Sequence, residues 1–202
     1  MYTYLIDSFN TPNFRQVIMS KAPRRNDPER RSRILRATLD MVVKHGISDI
    51  THRKIAEQAG VSLGSMTYYF SGIESLLCEA FTLFAHQMSD SYRERMQQAR
   101  TRADACEAIV DMICGGCVAT PYNMQVMYQL YAYASCNPQL KDIMQEWMIR
   151  SQQALEPFFD PLTARALDAF LEGMTLHYVT DRAPLSRDDM RVMVARIVGE
   201  EG

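Results

Sequence analysis

The sequence lacks any run of apolar residues long enough to cross a bilayer, although 47% of its 202 residues are hydrophobic and 23% are charged. It also lacks segments in which apolar and polar residues alternate with period two, and it contains no internal repeat. These absences argue against a membrane protein, a β-sheet protein and a repeat protein. A chain of this length can bury a sizeable core as one domain or as two small ones.

Residues that carry metal or catalytic chemistry are few and scattered. The four histidines form no ligand cluster, and neither a glycine-rich phosphate loop nor a Ser/His/Asp constellation stands out. We therefore expect no metal, no cofactor and no enzymatic activity. The alternative of a helical enzyme would require paired catalytic groups, which the sequence does not show.

The cysteines are five in number, and no secretory leader precedes them. An odd count in such a chain predicts reduced thiols and a cytoplasmic location. Cys114 and Cys117 form the short motif CGGC, but a metal site would require a second pair or a neighbouring histidine. A redox switch stays open as an alternative, while an incidental spacing is the simpler interpretation.

Helix signals dominate the rest of the sequence, and they predict an all-α protein of about nine helices. Ser, Thr and Asp at helix starts, prolines in first turns, and glycines or prolines at helix ends mark the boundaries. Residues 1–27 have no sustained helical period and are interpreted as an arm. The predicted helices occupy about 27–46, 51–59, 62–70, 73–100, 102–118, 122–136, 138–159 (with a possible kink at Pro157), 161–180 and 186–200.

Charge is unevenly distributed along the chain. The net charge is only −2, yet residues 21–54 carry ten Lys or Arg and four acids, while the remainder carries twelve Lys or Arg and twenty acids. A basic segment favours contact with a polyanion such as nucleic acid, although a solvated basic face would look the same. The acidic remainder would not help such binding, so we expect it to dimerise, to sense a signal, or both.

Residues 51–70, THRKIAEQAGVSLGSMTYYF, have the pattern of a helix-turn-helix unit. Ala56 is small enough for two helices to cross closely, and Gly60 lies where the turn needs a positive φ. Further apolar residues at helical spacing would attach both helices to the preceding one, namely Ile55, Ala59, Val61, Met66 and Tyr69.

The wider run ITHRKIAEQAGVSLGSMTYYFSGIESLL closely resembles the DNA-binding region of TetR/AcrR-family transcriptional regulators, over about residues 28–80. The resemblance implies a three-helix DNA-binding domain (28–72) and a larger helical domain for ligand binding and dimerisation (73–202). It also implies a homodimer, by default a repressor, on a near-palindromic operator. The chain departs from the family at Ile73, where a phosphate-contacting Lys is usual, and at Thr67, where a Tyr is common.

We expect the second helix of this unit to enter the major groove. Small residues at its start permit close approach, and its first amides suit a phosphate. Because this helix has no Arg or Lys, base reading is left to Arg53, to thymine-methyl contacts and to DNA shape. The residues predicted to contact double-stranded DNA are Thr51, His52, Arg53, Ser62, Leu63, Gly64, Ser65, Thr67, Tyr68 and Tyr69, with Arg24 and Arg25 either in a minor groove or solvated.

The segment ALDAFLEGMTLHYV has small residues at helical spacing that would let a partner helix approach closely. Together with the last helix it resembles the dimerisation face of the family, which pairs into a four-helix bundle. An intrachain core is the alternative for some of these positions. The residues predicted at the dimer interface are Ala166, Ala169, Phe170, Gly173, Met193 and Ile197.

Aromatic, Met and thiol residues between these regions suit an adaptable pocket for a small, partly apolar effector. By resemblance, an effector would shift the long helix from Ile73 and alter the separation of the two recognition helices, which must be about 34–36 Å. The alternative is a nucleoid- or division-associated DNA binder without a ligand. The predicted lining comprises Cys114, Tyr128, Tyr131, Met144, Trp147, Met148, Met174 and His177.

Overall fold

The structure, a computed structural model, describes residues 27–116 and 118–199. Within these ranges the chain forms nine α-helices and one short 3-10 helix (Ile47–Asp49) and no strand, which confirms the all-α prediction. The predicted arm, Arg24, Arg25 and Cys117 lie outside the described residues. The helices are α1 (Arg30–His45), α2 (His52–Ala59), α3 (Leu63–Tyr69), α4 (Ile73–Gln97), α5 (Arg102–Cys114), α6 (Pro121–Ala134), α7 (Pro138–Leu155), α8 (Pro161–Thr180) and α9 (Arg187–Val198).

Side-chain caps explain where most of the C-terminal helices begin. Thr101 accepts a hydrogen bond from the amide of Asp104, whose carboxylate accepts from the Thr101 amide in return, and this capping box starts α5. Thr120, Asn137 and Asp160 each cap a helix whose next residue is proline. Since these signals are local in the sequence, the starts of α5 to α9 agree with prediction to within a residue.

Several predicted helix boundaries need correction. The first helix begins at Arg30 because the Asp27 carboxylate accepts from the Glu29 amide (3.0 Å) and from Arg33 (2.6 Å), which holds residues 27–29 in a turn. The Arg33 guanidinium also lowers the pKa of Asp27. Helix α5 ends at Cys114 rather than at 118, and α7 ends at Leu155, before the kink expected at Pro157.

The buried residues form one cluster that runs from α1 to α9. Helix α4 is central, because it packs against α1 near its start and along α7 and α5 further on, while α8 and α9 pack against α5 and each other. The domain boundary predicted at residue 72 stays a prediction, since the apolar core is continuous across it. None of the helices in the described ranges is long and apolar enough to cross a membrane.

Candidate DNA interface and effector pocket

The α2–turn–α3 unit is built as the sequence pattern indicates. Thr51 caps α2 by accepting a hydrogen bond from the Lys54 amide (3.3 Å). Gly60 adopts the left-handed conformation (φ 63°), and the Val61 amide donates to the Ala56 carbonyl at 2.9 Å, which closes the turn. Ile55 and Met66 are fully buried, so both helices are anchored in the core. The unit therefore presents α3 in one rigid orientation.

The outward face of α3 is exposed and carries no charge. Tyr68 is 80% exposed and Leu63 51% exposed, and Gly64 and Thr67 lie beside them. Thr67 donates its hydroxyl to the Gly64 carbonyl (3.2 Å), which leaves its methyl group for outside contacts. Tyr69 is half-buried, with its ring edge-on to that of Tyr68 at 4.9 Å between centroids. Such a face offers apolar and hydrogen-bonding groups but no salt bridge.

Ser65 is a correction to the predicted set. It is buried, and its hydroxyl lies 3.0 Å from the hydroxyl of Ser62. Like Met66, it lies on the inward side of α3. The two serines thus satisfy each other, and Ser62 makes no side-chain cap bond to α3.

Gly64 has no structural reason within the chain to be glycine. A Cβ built at this position would meet only the Ser62 hydroxyl oxygen, at 3.9 Å, and the residue has ordinary helical backbone. Glycine inside a helix costs about 0.5–1 kcal/mol relative to alanine. A residue that weakens its own helix without relieving a clash indicates close approach by something outside the chain.

Positive charge beside α3 is partly neutralised within the chain. Arg31 and Arg33 on α1 pair with Glu79 and Asp27, and the Lys54 amine donates to the Asp49 carbonyl at 2.9 Å. Arg53 is exposed and has no ion pair or hydrogen bond to the described residues. The described part of the basic segment therefore offers the Arg53 guanidinium as the cation best placed to contact DNA.

His52 lies at the start of α2, half-buried, and its Nε2 atom is buried without a hydrogen-bond partner among the described residues. An unpartnered nitrogen at that depth disfavours a direct base contact through Nε2. The predicted contact of His52 with DNA stays a prediction.

A narrow cavity of about 40 Å³ lies between α4, α6, α7 and α8, and we call it the effector pocket after the role proposed for it below. Of the residues predicted to bind an effector, Tyr131, Met144, Trp147 and Met148 line this cavity, and their contact with a ligand stays a prediction. The lining also includes residues that the sequence reasoning missed, namely Met88, Tyr92, Val118, Met127, Ser151, Asp168, Leu171, Glu172 and Thr175.

The other four predicted lining residues lie elsewhere. Tyr128 follows the lining residue Met127 and is turned to the outer face of α6, and Met174 likewise precedes the lining residue Thr175. His177 is exposed near the end of α8, and Cys114 ends α5, where Tyr178 donates to its carbonyl (3.4 Å). Composition identified the right kind of side chain here, but it does not state which side of a helix faces the cavity.

The polar groups of the effector pocket are acidic. Asp168 and Glu172 lie one turn apart on the inner side of α8, and Asp168 accepts a hydrogen bond from Gln152 (3.2 Å). Burial raises the pKa of both carboxyl groups, against which the hydrogen bonds from Gln152 and Ser151 lower that of Asp168. Burial also raises the pKa of Tyr92. An acid pair spaced by four residues in an apolar helix was the sequence signal for this site.

Helix α4 joins the effector pocket to the recognition helix. Met88 and Tyr92 face the pocket, and the first residue of α4 follows the last of α3 by four positions. Tyr92 lies 19 residues beyond Ile73, roughly 28 Å along the helix. Trp147 of the pocket packs edge-on against Phe84 of α4, with 6.2 Å between ring centroids. Helix α4 therefore extends from the pocket to the residues that follow α3.

A second contact connects the pocket with the DNA-binding helices. Helix α6 supplies Met127 and Tyr131 to the pocket, and its first turn packs on α1. There the Tyr122 hydroxyl donates to the Asp40 carboxylate at 2.9 Å. Both α4 and α6 thus contact the pocket at one point and α1 at another.

The outer side of α8 carries the predicted dimer residues. Ala166 and Ala169 are exposed, Phe170 and Gly173 are half-buried, and a Cβ built on Gly173 would meet nothing within 4 Å. Leu162 on the same side is 81% exposed. On α9, Met193 and Ile197 are half-buried, whereas Met190, Val194 and Val198 are buried in the core of the chain. The two helices therefore present an apolar face that the described residues leave uncovered.

The described cysteines are free thiols at Cys78, Cys106, Cys114 and Cys136. Burial raises the pKa of Cys78 and Cys114, so neither is an activated thiolate. No group of three or more metal-ligating residues occurs in the described ranges.

Comparison with known proteins identifies the family. Residues 34–80 match the model of the tetR family of bacterial regulatory proteins, and residues 100–200 match that of the tetracyclin repressor-like C-terminal domain. Among curated proteins, the transcriptional regulator PksA of Bacillus subtilis (strain 168) is 23% identical over 189 residues, which cover 87% of this chain and 92% of PksA.

Solved structures agree with the family models. The protein SCO7518 of Streptomyces coelicolor A3(2), described as a transcriptional regulator, is 43% identical with a TM-score of 0.79, over 85% of this chain and 99% of SCO7518. The multidrug binding protein EbrR complexed with ethidium is 28% identical with a TM-score of 0.71, over 86% of this chain and 100% of EbrR. This chain is therefore a member of the TetR family of DNA-binding transcriptional regulators and is not an enzyme.

Proposed function

We propose that two copies of this chain form a cytoplasmic homodimer that binds a near-palindromic operator through α3, and that a small molecule in the effector pocket releases it, so that the protein is a repressor. The observation that carries the proposal is the outward face of α3, which is exposed and uncharged and has at its second residue, Gly64, a glycine with open space around it. With seven residues, α3 is about 10 Å long and suits a major groove of about 12 Å width.

The uncovered face of α8 and α9 supports the homodimer. Small residues at Ala166, Ala169 and Gly173 would let the α8 helix of a second copy approach closely, while Phe170 and Leu162 add apolar area. A closed two-fold dimer buries the same patch on both subunits. It also presents two copies of α3, which a near-palindromic operator requires.

Because the effector pocket is narrow, a bound molecule would have to push its lining side chains apart, and this supports control by a ligand. The neighbour EbrR has been solved with imidazole, ethidium, proflavin and malachite green, so by similarity compact organic molecules are proposed for this pocket. A bound molecule would displace Trp147 against Phe84 and thereby bias α4. Only a ligand that binds the released arrangement better than the DNA-bound one shifts the equilibrium.

The DNA part is tested by selecting fragments of the source genome that the protein binds and measuring affinity by mobility shift. We expect two half-sites about 34–36 Å apart, one turn of DNA, related by a two-fold axis. Replacing Leu63 and Thr67 by alanine should weaken specific binding, whereas Gln87→Ala on the exposed side of α4 serves as the control. Selection of no fragment, or equal loss in both variants, would contradict the assignment.

The dimer is tested by sedimentation velocity. Gly173→Gln places a bulky side chain on the outer face of α8 without a clash inside the chain, so the dimer should dissociate while the fold is kept. Ala132→Gln, at an exposed position on α6, is the matched control. A Gly173→Gln protein that sediments as a dimer would assign the interface to another surface.

The sensing role is tested by a thermal-shift screen of small organic molecules, since a ligand that binds only the folded state raises Tm. Hits are then added to the protein–operator complex. A hit that stabilises the protein and releases DNA supports the proposal. If no molecule alters operator binding, the chain is a DNA binder without a ligand.

A further inference from the structure

The effector pocket contains two polar groups that the protein itself leaves without partners. The Tyr92 hydroxyl is buried with no hydrogen-bond partner among the described residues, on a side chain that is only 4% exposed. The Glu172 carboxylate has no ion pair or hydrogen bond to the described residues, although burial raises its pKa. Unsatisfied polar groups at such depth destabilise the ligand-free protein.

The charges around the pocket are of one sign. Its described lining contains Asp168 and Glu172 but no Lys, Arg or His. Asp168 is held by Gln152 of α7, whereas Glu172 depends on burial alone. Glu172 is desolvated with no cation partner among the described residues, whereas the charge of Arg165 acts on Asp168. Such a carboxyl group disfavours an anionic ligand and leaves a neutral one with nothing to offset the buried charge.

The apolar lining is suited to the same kind of molecule. Trp147 and Tyr131 supply aromatic faces that attract a cation, and Met88, Met127, Met144 and Met148 supply adaptable apolar surface. Tyr131 and Met148 are 39% and 41% exposed, which places them at the mouth. An aromatic cation would bury its ring among these side chains and its charge near α8.

From these contacts we infer that the effector pocket selects a flat organic cation, with Glu172 as its counter-charge and the Tyr92 hydroxyl as the hydrogen-bond partner of a polar substituent. The inference rests on the proposed sensing role only for its consequence on DNA, because binding itself is measured on the free protein. Asp168 adds negative potential but is tied to α7, so Glu172 has the larger effect on charge selection.

The first experiment compares two probes of equal shape. N-methylquinolinium is a cation and methylnaphthalene is its neutral counterpart, and both are titrated calorimetrically into the full-length protein. We expect the cation to bind at least about tenfold more tightly, equivalent to about 1.4 kcal/mol. Trp147 is the single tryptophan of the chain, so its fluorescence reports occupancy of this pocket. Equal affinities, or no binding of the cation, would overturn the inference.

Variants assign the roles. Glu172→Gln should remove most of the preference for the cation while methylnaphthalene still binds, which shows that the pocket is intact; Asp168→Asn should have a smaller effect. Tyr92→Phe should weaken an amino-substituted N-methylquinolinium but not the unsubstituted cation. An unchanged charge preference in Glu172→Gln would remove Glu172 from the site. A cation that binds without releasing operator supports the cation site and contradicts only the effector role.

Discussion

The recognition surface of α3 and the effector pocket treat charge in opposite ways. The outward face of α3 is exposed and neutral, and the neighbouring helix α2 carries the exposed cation Arg53. The pocket is enclosed and apolar, yet it holds Glu172 without a partner. Each region nevertheless contains one residue that disfavours the isolated fold, Gly64 in α3 and Glu172 in α8. Residues that the stability of the fold does not explain are expected at functional sites.

The largest expected effect separates the inward and outward sides of α3 by their contribution to the free energy of unfolding. Met66 faces inward and is fully buried, with 0% of its surface accessible, while Tyr68 faces outward and is 80% exposed. Met66→Ala should lower the free energy of unfolding by about 2–5 kcal/mol through cavity formation. Tyr68→Ala should leave it nearly unchanged. Urea denaturation measures both, and a comparable loss in Tyr68→Ala would mean that the outer face is also structural.

Arg53 tests whether the neutral helix takes its cation from α2. Arg53→Ala should weaken operator binding by about 1–3 kcal/mol if the guanidinium reads a base edge, with loss of discrimination at one position. If it touches only phosphate, affinity falls on all sequences and the slope against log salt decreases by about one. Binding is measured by fluorescence anisotropy over a salt series. No change in affinity or slope would remove Arg53 from the interface.

Gly64 separates stability from binding at a single position. Because a Cβ fits inside the chain, Gly64→Ala should raise the free energy of unfolding by about 0.5–1 kcal/mol. The same methyl group would lie between α3 and the DNA, so operator affinity should fall by about tenfold or more. Calorimetric melting and anisotropy measure the two effects. A variant that is both more stable and equally tight would show that DNA does not approach this residue closely.

The same contrast explains which regions were predictable from the sequence. The helix-turn-helix unit occupies twenty consecutive residues, so the Thr51 cap, the Gly60 turn and the buried Met66 follow from local rules. The inward position of Ser65 did not follow from those rules, because it depends on contact with the Ser62 hydroxyl.

The effector pocket is assembled by the faces of four separate helices, and periodicity cannot state which faces meet. Sequence reasoning therefore found Trp147 by composition but placed Tyr128, on the wrong side of α6, in the lining. In the segment that contains Asp168 and Glu172, the sequence pattern pointed only to the small residues of the outer face. Of the two roles proposed for α8, dimerisation on its outer side and effector binding on its inner side, the sequence pattern therefore predicted only the first.

Glu172 gives the smallest of the expected effects and a defined dependence on pH. Its pKa is raised above 4.5 by burial, so the charged form disfavours folding at neutral pH, and Glu172→Gln should raise the Tm of the ligand-free protein. A cation prefers the carboxylate, so its affinity should fall as the pH is lowered from neutrality toward the ordinary value of 4.5. Asp168 titrates in the same direction, since burial raises its pKa while the hydrogen bond from Gln152 and the charge of Arg165 lower it, and burial raises the pKa of Tyr92 further above this range. Calorimetric titrations at several pH values should therefore show a steeper decline in the wild type than in Glu172→Gln. Identical pH profiles would mean that the charge of the bound cation is compensated by a group other than Glu172. The contrast between the neutral, exposed face of α3 and the charged, enclosed effector pocket would then no longer explain how the two regions work together.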